Sequence, residues 1–214
     1  MNCYVYRRDA SIGKDASVVC KTSSFDLPVR KDRHGNYKYR SGTDFDMCFS
    51  SDFFIEEADE WRPEVLRMIR ERSDCRFFCI TKRPERIAEC IPDIAAYGNL
   101  EIACTCENQR RFDERAPLYL SLPLQIKSIV IEPMLGSVDM SEYIDRIDAV
   151  MCGGESGPDA RILDFEWVRD VKRQCDEHGV VFHFHQTGAR LLVNGRLYNI
   201  DRRFQHSQAR KAFK

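Results

Sequence analysis

Short apolar runs rich in β-branched and aromatic residues recur along the chain, and stretches of helical periodicity separate them. We predict that each short run is a strand, because polar or turn-forming residues bound it. The runs lie at residues 44–50, 76–81, 101–106, 128–132, 149–153 and 180–185. They recur roughly every 25 residues, a spacing that leaves room for a helix between neighbouring strands.

The intervening segments carry the pattern of amphipathic helices. Residues 61–72 repeat apolar side chains at helical spacing, and residues 164–179 do the same before ending at Gly179, a residue typical of the position after a helix. Residues 84–94 and 107–122 predict two further helices. This alternation favours a parallel sheet with crossover helices, as an open doubly wound sheet or a partial (β/α) barrel. We expect an α/β partial barrel of about six parallel strands.

Length and charge narrow the class of protein. A chain of 214 residues suits one large domain, which we place at residues 1–190, followed by a basic, solvated extension at residues 191–214. The formal net charge of −1 gives no global electrostatic reason for nucleic-acid binding. The sequence has no apolar stretch of membrane-spanning length and does not open with a signal-peptide pattern, so we expect a cytoplasmic protein without a membrane partner.

Ten cysteines are many for such a chain. A disulfide scaffold is not expected in a domain of this size without a secretion signal. Cys79, Cys104, Cys106 and Cys152 lie inside predicted strands, so we expect them to be small core residues. The Cys-x-Cys pair at 104–106 lacks the neighbouring cysteines or histidines of a metal site.

Every predicted strand is followed by a polar or charged cluster. In parallel α/β sheets and barrels, ligands bind at the carboxyl ends of the strands, so these clusters predict one shared site. The candidate residues that follow successive strands are Ser51 and Asp52; Thr81, Lys82 and Arg83; Glu107 and Asn108; Glu132; Gly153, Gly154, Glu155, Ser156 and Gly157; and Gln186.

Two of these stretches suggest chemistry without settling it. The glycines of GGESG allow close approach of a ligand to the backbone, and Glu155 can accept hydrogen bonds from ribose hydroxyls or an amino group. The same loop also suits an ordinary tight turn. His183 and His185 point to the same side of a strand, but no carboxylate lies at a fixed spacing to complete a metal site.

Seven short motifs stand in order along the chain: CYVYRRD, SDFF, ITKRPER, CTCENQ, IEPMLG, GGESG and FHFHQTGA. Together they resemble a phage-associated family that is labelled by gene-product numbers thirty-seven and sixty-eight and by a domain of unknown function. The resemblance covers residues 3 to about 190 and implies a compact relative of the radical S-adenosylmethionine enzymes.

In that family a three-cysteine loop ending in C-x-x-C-Y is implied to bind a [4Fe–4S] cluster, which leaves one iron open for S-adenosylmethionine. Cys3 matches the third cysteine of this loop, because Tyr4 follows it. The first two cysteines would precede residue 1, so we expect an N-terminally truncated chain that lacks the first strand and does not hold the cluster as given.

The resemblance also implies roles for the strand-end residues. Ser51, Asp52, Glu132 and the loop 153–157 correspond to positions that bind S-adenosylmethionine. Thr81, Lys82, Arg83, Glu107, Asn108 and Gln186 are expected to contact substrate or cofactor. The leading interpretation is a radical S-adenosylmethionine-type enzyme whose substrate is not specified.

Three basic strips (TKRPER, ENQRR and RRFQHSQARK) make a nucleic-acid substrate a hypothesis. Two alternatives stay open. One is a non-catalytic nucleotide- or nucleic-acid-binding module that has lost the cluster. The other is a metal-free hydrolase with Glu107 or Glu132 as the general base.

Overall fold

The central feature of the fold is a six-stranded sheet, all parallel, that curls into a half barrel. A computed structural model describes residues 4–213. The strands of this sheet are β1 (Asp44–Met47), β2 (Arg76–Thr81), β3 (Leu100–Thr105), β4 (Ser128–Ile131), β5 (Ala149–Gly153) and β7 (Val181–Gln186), and they neighbour one another in that order. The partial barrel predicted from the sequence is thus confirmed.

Six helices accompany the strands in the described residues. They are α1 (Tyr4–Ser11), α2 (Arg62–Glu71), α3 (Ile87–Cys90), α4 (Gln109–Ser121), α5 (Phe165–His178) and α6 (Arg202–Ala209). Helix α5 ends as predicted, since Gly179 takes the left-handed conformation with φ of 69°. Residues 84–94 form shorter pieces than predicted: a 3₁₀ turn at Pro84–Arg86, α3, and a second 3₁₀ turn at Ile94–Ala96. No helix among residues 4–213 is long and apolar enough to cross a membrane.

The main core fills the space between the sheet and the helices. Strands β2 to β5 contribute alternate buried residues to it, as the two-residue period of a strand requires, whereas Phe45 and Met47 of β1 are only partly buried against it. The four cysteines expected in the core, Cys79, Cys104, Cys106 and Cys152, are all fully buried. They act as small apolar side chains, which confirms the prediction.

A second, three-stranded sheet is formed by segments that precede and follow β7 in the chain. It consists of β6 (Leu163–Asp164), β8 (Arg190–Val193) and β9 (Arg196–Asn199). Asn194 and Gly195 join β8 to β9 in a tight turn, and both have positive φ, 50° and 76°. Such a pair is typical of a two-residue hairpin.

The basic tail is not a solvated extension throughout. Helix α6 packs against the edge strand β7, and it buries Gln205 and Ala209. The expectation of a solvated tail is wrong here because two residues of this helix meet the sheet edge. A strand at the edge of a sheet has unpaired backbone groups, and covering it with a helix is a common solution.

The charged segment before β1 is held by one buried arginine. The side chain of Arg72 is fully buried, and its guanidinium donates hydrogen bonds to the carbonyls of Pro28 and Tyr39 and pairs with Asp74. A guanidinium offers five donors, so one side chain can fix several carbonyls of an irregular segment.

Candidate functional site

The carboxyl ends of the six parallel strands lie at one edge of the half barrel, which we call the strand-end edge. Of the fifteen residues proposed for the site, fourteen lie at the last position of these strands or on the loops that follow them. Cys3, proposed as a metal ligand, lies outside the described residues. Among residues 4–213, no group of three or more His, Cys, Asp or Glu side chains is arranged to hold a metal ion.

Asp52 joins the ends of β1 and β2. Its carboxylate accepts hydrogen bonds from the hydroxyl of Thr81 at 2.9 Å and from the backbone N–H of Lys82 at 2.9 Å. The guanidinium of Arg83 lies 3.2 Å from the same carboxylate. These contacts fix the turn after β2, so Asp52 has a structural task at this edge.

Glu107 lies between two cations. Its carboxylate pairs with the ammonium of Lys82 and with the guanidinium of Arg115 at 2.8 Å. Burial alone would raise the pKa of Glu107, but the hydrogen bond from Lys82 and the two positive charges outweigh it and hold the pKa below its usual value. A carboxylate with a lowered pKa is a weak proton acceptor, which disfavours Glu107 as a general base.

The GGESG loop turns tightly against the end of β7. A Cβ on Gly154 would overlap the backbone carbonyl of Thr187, so only glycine fits there. Glu155 is buried and pairs through both oxygens with the guanidinium of Arg161, at 2.8 and 2.9 Å. Its carboxylate also accepts the backbone N–H of Arg161. This bidentate pair closes the loop on itself.

Ser156 connects the loop to the end of the chain. Its hydroxyl lies 2.8 Å from the amide oxygen of Gln186 and 2.7 Å from that of Gln205 in α6. Its carbonyl accepts a hydrogen bond of 2.6 Å from Arg7 in α1. Gly157 follows with φ of 114°, a conformation that favours glycine.

Ser51 and Asn108 have local roles. Ser51 is exposed in the turn after β1, and its N–H donates to the carbonyl of Cys48 at 2.9 Å. Asn108 caps α4, because its side-chain oxygen accepts the N–H of Arg111 at 3.0 Å.

Glu132 lies at the middle of the strand-end edge, directly after β4. One carboxylate oxygen accepts a hydrogen bond of 2.8 Å from Nδ1 of His185, and the other accepts from the amide of Gln186. A Cβ on Gly153 would stand 2.6 Å from this carboxylate, so glycine leaves the space that Glu132 occupies. A shift in register between β5 and β7 at this point brings Gln186 opposite Gly153.

Glu132 differs from the other carboxylates of the strand-end edge in its ion-pair partner. Asp52, Glu107 and Glu155 each pair with a lysine or an arginine. In the part of the chain that the structure describes, the only ion-pair partner of Glu132 is His185, which is charged only when protonated. Glu132 therefore differs from the other three carboxylates in having no lysine or arginine paired with it among residues 4–213.

An apolar floor, formed by Val130 and Met151, adjoins Glu132 on the face of the sheet away from the main core. Val130, Met151 and His183 are register partners across β4, β5 and β7. Two residues further along the same strands stand Glu132, Gly153 and His185, and side chains two apart share a face. Met151 is only half-buried, as are Phe78 and Ile80 of β2 on their own alternate positions.

Sequence reasoning left His185 and His206 out of the site. The rings of His185 and His206 are 4.7 Å apart, and His206 donates from Nδ1 to the carbonyl of His185 at 3.0 Å. The hydrogen bond to Glu132 raises the pKa of His185 against the opposing effect of burial. Burial and the neighbouring His185 lower the pKa of His183. The alternation of His183 and His185 was the available signal, but their carboxylate partner is 53 positions away.

The cations of the strip TKRPER are matched by carboxylates. Lys82 pairs with Glu107, Arg83 with Asp52, and Arg86 with Asp59. In ENQRR, Arg110 and Arg111 both pair with Glu114. These pairs reduce the positive potential that either strip presents to a phosphate backbone.

One comparison with known proteins gives a match. A family model described as "Protein of unknown function (DUF5131)" matches residues 2–211. The match takes in all six strands of the half barrel, the second sheet and α6. The curated proteins and the solved structures give no match.

Proposed function

The chain belongs to this family of unknown function, and we propose that it is a radical-SAM-like protein that binds S-adenosylmethionine at the strand-end edge. The observation that carries the proposal is the charge of Glu132, which pairs with no lysine or arginine among residues 4–213, beside the apolar side chains of Val130 and Met151. S-adenosylmethionine carries a sulfonium and an ammonium group, so a carboxylate that no lysine or arginine neutralises complements it. The resemblance of seven motifs to a phage-associated, radical-SAM-like family supports the same ligand.

The shape of the sheet agrees with this ligand. Ligands of parallel α/β folds bind outside the carboxyl ends of the strands, and Glu132 stands there at the middle of the sheet. The half-buried side chain of Met151 offers apolar surface to an adenosine or methionine moiety. Ser156 and Gln186 present hydroxyl and amide groups that can orient polar atoms of the ligand.

The described residues do not themselves fit a [4Fe–4S] cluster. Three thiolates are required, and no set of three candidate ligands comes together among residues 4–213. Cys3 is outside that range. The proposal for these residues is restricted to binding and orienting S-adenosylmethionine.

Calorimetric titration with S-adenosylmethionine tests the proposal. We expect binding by the wild-type chain and binding about 10- to 100-fold weaker for Glu132→Gln, because a hydrogen bond to a charged group contributes about 1.5–3 kcal/mol. Glu101→Gln is the matched control. Glu101 is the second residue of β3 and therefore lies near the amino ends of the strands, away from the strand-end edge. Its carboxylate accepts a hydrogen bond from the hydroxyl of Ser128.

Two results would contradict the proposal. The first is no binding of S-adenosylmethionine by the wild-type chain. The second is equal binding of adenosine triphosphate and S-adenosylmethionine with no effect of Glu132→Gln, which would favour the nucleotide-binding module. For nucleic acid, a gel shift over a series of salt concentrations is the separate test, and salt-independent or absent binding would reject it.

A further inference from the structure

His185 is the one strand-end histidine whose ring is held by a carboxylate. Its Nδ1 lies 2.8 Å from Oε2 of Glu132, and the side chain of Glu132 is 18% exposed against 40% for His185. The carboxylate is thus the more buried partner, and the imidazole is the more exposed one.

The geometry assigns the two ring nitrogens different tasks. A carboxylate only accepts hydrogen bonds, so it keeps a proton on Nδ1 of His185. In the neutral ring this leaves a lone pair on Nε2, the nitrogen that points away from Glu132. A second hydrogen bond, from Gln186 to the other oxygen, holds the carboxylate itself in place.

We propose that Glu132 and His185 form a proton-transfer dyad, in which His185 accepts a proton through Nε2 from an O–H or N–H group of the ligand bound at the strand-end edge. The dyad rests on the proposed function only for the identity of that ligand. In this step the ligand's O–H or N–H bond breaks, its electron pair stays on the ligand, and the proton joins Nε2. Glu132 is the positioning residue, and its negative charge stabilises the imidazolium that forms.

Among residues 4–213, three titratable side chains contact or neighbour the ring of His185. They are Glu132 after β4, His183 on the same strand and His206 from α6. Glu132 favours the protonated ring of His185, whereas a protonated His183 or His206 would oppose it. We therefore expect the behaviour of His185 to respond most strongly to removal of the charge at Glu132.

The chain contains its own control pair. His178 lies 2.7 Å through Nδ1 from Asp145, with nearly the same geometry, but that carboxylate is 83% exposed and the pair is remote from the strand-end edge. Because water screens an exposed contact, Asp145 should hold the ring of His178 less strongly than Glu132 holds the ring of His185.

Nitrogen-15 NMR of the histidine rings in the ligand-free wild-type chain tests the dyad. We expect neutral His185 to carry its proton on Nδ1, and its titration midpoint to fall by about one pH unit in Glu132→Gln. Asp145→Gln should leave the midpoint of His185 unchanged. A proton on Nε2 of neutral His185, or an unchanged midpoint in Glu132→Gln, would overturn the dyad.

Titration with S-adenosylmethionine across pH adds the ligand. We expect the wild-type affinity to fall about tenfold per pH unit below the midpoint of His185, because the imidazolium has no lone pair to accept the ligand proton. His185→Gln should remove this dependence of the affinity on pH, whereas His178→Gln should keep it. If the pH dependence is unchanged in His185→Gln, the assignment of Nε2 as the proton acceptor is overturned. If the wild-type chain does not bind S-adenosylmethionine, the proposed function fails, and the ligand-free NMR result still decides the dyad.

Discussion

The side chain of Tyr119 forms hydrogen bonds with the backbones of two neighbouring strands. Its hydroxyl donates to the carbonyl of Ile102 in β3 at 2.7 Å and accepts the backbone N–H of Ser128 in β4 at 2.9 Å. The paired register of β3 and β4 begins only later, at Cys104 and Ile129. The hydroxyl therefore bridges the two strands where they are not paired with each other, and the side chain is fully buried.

Tyr119→Phe removes the bridge and keeps the ring. It leaves one carbonyl and one N–H without their partner in a site that water does not reach. An unsatisfied buried backbone group costs about 1–3 kcal/mol, so two give about 2–4 kcal/mol once modest relaxation is allowed. Burial raises the pKa of Tyr119 far above its ordinary value, so the hydroxyl stays protonated over the whole working range of pH.

Urea unfolding, followed by circular dichroism, measures this loss of free energy. Tyr198→Phe is the matched control, because Tyr198 is 40% exposed in β9 and its replacement should change stability by less than about 0.5 kcal/mol. If Tyr119→Phe is no more destabilising than Tyr198→Phe, the two backbone groups find other partners and the bridge is not a determinant of stability.

Two further predictions concern the strand-end edge. Gly154→Ala should lower the free energy of unfolding in urea by about 1–3 kcal/mol, because its Cβ would overlap the carbonyl of Thr187. Gly136→Ala, where a Cβ meets nothing within 4 Å, should leave the free energy of unfolding nearly unchanged. Equal losses in the two variants would refute the steric argument. The pKa of Glu107 is lower in the folded chain than its ordinary value of 4.5. Its contribution to stability is therefore complete above that value and is lost as pH falls through the folded pKa, so wild type should lose more stability than Glu107→Gln on acidification from about pH 6 to pH 3. Parallel pH profiles of the two chains would contradict this.

Much of the fold follows from local periodicity. The predicted strands 76–81 and 149–153 coincide with β2 and β5, and the helix predicted at 164–179 contains α5. These elements bury alternating or helically spaced apolar residues, so the hydrophobic pattern alone marks them. The second sheet was missed although Asn194 and Gly195 signal a hairpin turn, because its strands are short and β9 is exposed along its length.

The sequence was enough to predict where the site lies, but not which of its charged side chains pair with each other. Polar residues after each strand located the strand-end edge, because parallel strands bring their carboxyl ends together. The pairing of charges depended on distances that span many residues, such as Glu132 with His185 and Lys82 with Glu107. No local rule distinguishes a carboxylate matched by an arginine from one that is not.

The order of the strands in the half barrel also bears on how the chain assembles. Each strand of that sheet pairs with the sheet strand that precedes it in sequence, so every pairing closes only one crossover. A sheet of this kind can grow by one strand at a time as the chain leaves the ribosome. The second sheet does not form in this strand-by-strand order. Strand β6 pairs with β8, so it can pair only after α5 and β7 have been made. We therefore expect β6 to stay unpaired during synthesis until β8 has been made, after the half barrel has received its last strand.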